Sequence, residues 1–125
     1  MLDVFKHLSG NEIDQYWQQL KPLFQRCVDK AVHDEYDIDD IYLGAKADRF
    51  HIMAAFKDKA VHIAIVFEIV NYPSGKIACN VLALGGQCLN DLMCQFLATF
   101  KQWCHDADIS WIECLASRGM ERIFH

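Results

Sequence analysis

The clearest hydrophobic pattern lies at 89–104. Leu89, Leu92, Met93, Phe96, Leu97, Phe100, Trp103 and Cys104 recur at i, i+3, i+4 and i+7, the spacing of one helix face. Asn90, Asp91, Gln95 and Lys101 fall on the other side. Before this helix, 76–84 (KIACNVLAL) reads as an apolar strand between Ser74-Gly75 and Gly85-Gly86. After it, 109–115 (ISWIECL) reads as a second, shorter strand. A strand, a crossover helix and a strand make a parallel pair, and such crossovers are almost always right-handed.

Upstream, Ile13, Trp17, Leu20, Phe24 and Val28 lie on one face of a helix that starts near Asn11, after the cap residues Ser9 and Gly10. Pro22 falls inside it and predicts a kink or two helices, the second starting near Lys21. The acidic run 33–40 reads as a solvated loop that caps a short helix over 37–47, with Ile38, Ile41 and Tyr42 inward. It lacks the glycine and closing glutamate of a calcium loop. Strands follow at 50–56 and 60–70, joined by the tight turn Lys57-Asp58-Lys59. In the second strand Val61, Ile63, Ile65, Phe67 and Ile69 take one face, and His62, Ala64, Val66, Glu68 and Val70 the other. Both faces are largely apolar, as expected of a central strand covered on both sides. Residues 71–75 turn the chain back into 76–84. The first eight residues read as a short edge strand or a helical turn, and 117–125 as a short helix. The expected fold is α/β (α+β mixed sheet) in one domain over 1–125. An antiparallel meander is followed by a β-α-β parallel crossover, with helices on both faces.

Composition narrows the function. The chain has 125 residues, 53% of them apolar, and a formal net charge of −5. That charge speaks against a nucleic-acid backbone as partner. No apolar run approaches the ~20 residues that span a bilayer, so no membrane partner is expected. The first ten residues lack the apolar core of a signal peptide. Six cysteines without a C-x-x-C pair point to reduced thiols in a cytoplasm, and no metal site is expected. Cys88, Cys94 and Cys104 follow the apolar face of the helix and read as packing residues.

Three places carry candidate chemistry. Glu68 is a carboxylate on a mostly apolar strand. It is either a general base facing a cleft or a strand-end group that meets solvent or an arginine. Gly85-Gly86 stand before a helix N-terminus, where backbone amides can face an anion, although any tight strand-to-helix turn favours glycine as well. Arg118 can hold a carboxylate or phosphate, or be simply solvated. Tyr16, Tyr36, Tyr42 and Tyr72 are candidate acids without a distinguishing neighbour. No nucleophile elbow, phosphate-binding loop signature or H-E-x-x-H is present.

The order of elements resembles the GNAT superfamily of N-acetyltransferases, and more narrowly the short GNAT-like proteins of tailed bacteriophages. The residues that carry the resemblance are Phe67-Glu68-Ile69-Val70-Asn71-Tyr72-Pro73, Leu84-Gly85-Gly86, Trp103-Cys104-His105 and Ser117-Arg118-Gly119-Met120-Glu121-Arg122. The resemblance implies that acetyl-CoA lies between two splayed parallel strands. Its pantetheine arm would run along the backbone near Leu82 and Leu84, with its phosphates near Gly85, Gly86 and Gln87. Glu68 or a bound water would then take the proton of an attacking amine. The loop Gly-Gly-Gln-Cys-Leu is several residues shorter than the family's phosphate loop, and the last helix lacks the family's tyrosine. Two functions follow: an acyl-CoA-dependent N-acetyltransferase of the host cytoplasm, or a non-catalytic phage virion or interaction protein with a protein partner.

Overall fold

The computed structural model describes residues 4–30, 37–86 and 90–114. The elements are β1 (Val4–His7), α1 (Gly10–Lys30), α2 (Ile38–Lys46), β2 (Phe50–Lys57), β3 (Ala60–Asn71), β4 (Ile77–Gly86), α3 (Asn90–Asp106) and β5 (Trp111–Cys114). They form one mixed sheet in the order β1-β2-β3-β4-β5. The pairs β1–β2, β2–β3 and β3–β4 are antiparallel, and β5 runs parallel to β4.

Local chemistry sets the element ends. The Ser9 amide donates to Glu12 Oε1 at 3.0 Å, and the Glu12 amide to Ser9 Oγ at 3.4 Å, so the first turn of α1 is capped reciprocally. Asp37 and Asp40 do the same for α2, with bonds of 2.8 and 3.1 Å. The acidic residues there serve as a cap, as the sequence suggests. Asp58 and Lys59 both have positive φ, 52° and 66°, the geometry of a two-residue hairpin turn.

Helix α1 runs unbroken through Pro22 instead of restarting near Lys21. Leu20, Leu23 and Phe24 are all buried on either side of the proline. The exposed ring sits on the solvent side of a helix whose other side is held by the sheet, so packing outweighs the missing hydrogen bond.

The core has two layers. Ile52, Ala54, Ala64, Val66 and Ala83 pack with α1 and α2 on one face. Met53, Ile65, Phe67, Cys79 and Val81 pack with Phe96, Leu97, Phe100 and Cys104 of α3 on the other. Trp103 packs half-buried against the α3 layer, and the side chain of Leu92 lies outside the described residues.

Two bulges break the simple alternation. Phe56 pairs with Val61 and Ala55 with Ile63, which leaves His62 without an opposite residue. Val61 therefore packs on the α1 face and Ile63 on the α3 face, not together as a period of two predicts. The second bulge lies in β4, where Val66 pairs with Ala83 and Phe67 with Val81. Leu82 is the extra residue, and Leu82 and Ala83 both turn to the α1 face.

Candidate functional site

Strand β4 has two unlike neighbours. Against β3 it pairs from Ile77 to Gly86. Against β5 the described ladder holds four pairs, from Ala78↔Trp111 to Val81↔Cys114. Among the described residues nothing pairs with Leu82–Gly86 on that side. The bulge at Leu82 falls one residue beyond the last described pair of this ladder. A bulge bends its strand and leaves the extra residue outside the regular bonding pattern.

Gly85 and Gly86 are strand residues, paired with Ala64 and Ile63, and not a free turn. Their lack of a side chain has a packing reason. A Cβ on Gly85 would stand 2.3 Å from the Leu23 carbonyl oxygen in α1. A Cβ on Gly86 would meet Ile63 Cγ1 at 3.1 Å and Met93 Cε at 3.2 Å. Only residues 87–89 then separate β4 from α3, so the connection is short. Gln87 lies in it, outside the described residues, as do Arg118 and the rest of 115–125.

Glu68 stands at the polar end of the α1/α2 face. Arg49 donates from Nε to Glu68 Oε2 at 3.1 Å, and the Arg49 guanidinium lies 5.0 Å over the Phe50 ring. In the sheet, Glu68 is opposite Asn80, and Asn80 is opposite Glu113. These three polar side chains form one row across β3, β4 and β5. Asn80 is the residue that sequence reasoning missed. Its Oδ1 is shielded from solvent and, among the described residues, has no hydrogen-bond partner. A buried acceptor left in this way costs about 1–3 kcal/mol, so the position calls for a donor. The sequence signal was present: Asn80 is the one polar residue between Cys79 and Val81 in an apolar run.

The other candidates are occupied elsewhere. Tyr42 donates to Asp14 at 2.5 Å, and Lys46 reaches the same carboxylate at 2.6 Å. These bonds, Lys46's first, hold the Asp14 carboxyl below its usual range and push the Tyr42 hydroxyl above its own. They clamp α2 to α1. Tyr16 packs on Phe56. Tyr72 stacks on Trp111 at 5.2 Å, while Trp111 Nε1 donates to Glu113 at 2.8 Å. Cys79 and Cys104 are buried in the α3 layer, where the adjacent Cys104 and burial push the Cys79 thiol far up. Cys94, expected to pack, is exposed. Among the described residues no set of three His, Cys, Asp or Glu side chains gathers in metal-binding geometry, and no helix is long and apolar enough to cross a membrane.

No protein-family model and no curated protein matches the sequence. Solved structures do match, across nearly the whole chain. A ribosomal-protein-alanine N-acetyltransferase from Brucella melitensis biovar Abortus 2308 matches at a TM-score of 0.70 and 13% identity, over 98% of this chain and 85% of that one. A predicted acetyltransferase from Clostridium acetobutylicum, solved with acetyl-CoA, matches at 0.68 and 12%, over 99% and 86%. A GNAT family acetyltransferase from Staphylococcus aureus matches at 0.65 and 11%, over 91% and 86%. The chain has the fold of the GNAT acetyltransferases.

Proposed function

We propose that this protein is an acyl-CoA-dependent N-acetyltransferase that works in a cytoplasm. The observation that carries the proposal is the crossover β4-α3-β5, in which β5 lies parallel to a β4 that bulges at Leu82, within a fold that matches solved acetyltransferases. The amide-rich pantetheine arm of CoA would run along the β4 backbone near Leu82 and Leu84, and one of the similar structures was solved with acetyl-CoA. The diphosphate would lie by Gly85, Gly86 and Gln87, toward the N-terminus of α3. The thioester would then face the row Glu68–Asn80–Glu113. The amine nitrogen of the substrate attacks the thioester carbon, the new C–N bond forms as the C–S bond breaks, and CoA leaves as the thiolate. Asn80 Oδ1 accepts a hydrogen bond from the attacking amine and so orients it. Glu68, or a water beside it, takes the proton.

A second reading is favoured by the three-residue connection between β4 and α3. It offers few amides to a diphosphate, which suits a non-catalytic interaction protein on the same fold, of the kind a phage virion uses. Thermal unfolding with acetyl-CoA and CoA separates the two. A ligand at 100 times its Kd stabilises the native state by about 2.7 kcal/mol, read as a rise of several degrees in Tm. Calorimetry should show one site per chain. No heat and no shift at millimolar CoA would sink the enzyme reading in favour of the second.

A further inference from the structure

His7 and His51 lie 44 positions apart, yet His7 Nε2 and His51 Nδ1 stand 3.3 Å from each other. The β1–β2 ladder brings them together, with His7 paired to Met53 and His51 two residues further along the same face of β2. Both rings are held from behind. His51 stacks on Phe67 at 5.5 Å, and His7 meets the edge of Trp103 at 5.9 Å. Both also line a cavity of about 330 Å³ between the start of α1 and the turn from α2 to β2, which Ser9 and Asp48 line as well.

We propose that this pair is a two-histidine clip for one borderline divalent cation such as Zn²⁺, Co²⁺ or Ni²⁺. The separation carries the inference. Imidazole nitrogens ligate such ions at about 2.0–2.1 Å, so two of them at a tetrahedral angle stand about 3.3–3.4 Å apart. The pair has that bite already, and as a hydrogen bond the same distance is long. Imidazole suits this group of metals, whereas calcium and magnesium take oxygen ligands. The stacked rings lose little freedom on binding. Since no third protein ligand is gathered among the described residues, water in the cavity fills the remaining positions, and the site stays open to an exogenous ligand. No short-range spacing motif could show this pair, because its two members belong to different strands.

Co²⁺ tests the proposal, because its visible bands report the donor atoms. Protein kept reduced with a phosphine and freed of metal should bind one Co²⁺ per chain, with the spectrum of nitrogen and oxygen donors. His7→Phe and His51→Phe keep a ring on the aromatic support and remove the ligand. Each should weaken binding at least about tenfold, since even loss of a group supporting a ligand costs 10–100-fold. His105→Phe, on the exposed end of α3, should bind like the wild type. Thermal melts of the variants without metal should stay cooperative. Absence of Co²⁺ binding by wild type at millimolar ion would overturn the proposal. So would a thiolate-to-cobalt charge-transfer band, or binding that survives in both His7→Phe and His51→Phe.

Discussion

Under α3, the sheet is filled by Met53, Ile65, Phe67, Cys79 and Val81 against Phe96 and Phe100. Under α1 and α2 it is equally apolar up to Val66 and Ala83, and then turns polar at Glu68, Asn80 and Glu113. The two faces share the same strands, so the difference does not come from strand geometry. Away from the His7–His51 end, the α3 face is apolar and aromatic and buries area. The other face holds Asn80, whose Oδ1 is buried and has no hydrogen-bond partner among the described residues, a local cost that the α3 face does not show among them.

The largest effect should come from breaking the α3 face. Phe96 is buried and packs on Phe5 at 5.2 Å. Phe96→Ala should cost roughly 3–5 kcal/mol, measured by denaturant unfolding. A loss under about 1 kcal/mol would mean that the α3 face is not core.

Asn80 should behave the opposite way. Asn80→Leu replaces an acceptor that has no partner among the described residues with an apolar group of similar size, and should raise stability by about 1–3 kcal/mol. Acetyl transfer should fall in the same variant, which is the trade-off expected of a strained functional position. A variant both less stable and fully active would show that Asn80 belongs to the fold alone.

Arg49→Ala should matter less. The Arg49 side chain is 61% exposed, and such ion pairs are worth about 0–1 kcal/mol. Its informative readout is the rate of acetyl transfer, which should fall if Glu68, held by Arg49 Nε at 3.1 Å, takes the proton.

The smallest effect concerns the clamp on the polar-side helices. The folded state depresses the Asp14 carboxyl through Lys46 and then Tyr42. Its contribution is therefore present above the ordinary value of 3.8 and is lost as pH falls through the folded value below it. Asp14→Asn should flatten that acid limb of a stability-versus-pH curve, and added salt should do the same to the wild type. Phe96→Ala should leave the limb unchanged.

Much of this architecture was legible in the chain. Helix α2 and strands β2 and β3 fall within about two residues of their expected ends, because Asp58-Lys59 and the 71–75 turn punctuate long apolar runs. The bulges at His62 and Leu82 were not legible. In a strand apolar on both faces, one extra residue leaves no trace in the pattern. The glycine pair was read as a turn because sequence cannot distinguish a flexible glycine from one that another backbone touches, as Leu23 touches Gly85. For the candidate site, strand β4 could be placed from element order, but its bulge could not. The Arg49–Glu68 pair and the meeting of His7 with His51 depend on register, which no local spacing encodes.

The packing of Leu23 on Gly85 also sets an order of assembly on the ribosome. Helix α1 and strand β1 leave the exit tunnel first, but their partners are β2, β3 and β4. An amphipathic helix without its sheet is marginal in water, and β1 has no edge to join until β2 exists. The N-terminal thirty residues must therefore wait for the meander, which makes this a chain of long-range closures and slow nucleation. While they wait, the apolar stripe of α1 is exposed, and the nascent chain offers chaperones a binding surface that the finished protein does not have.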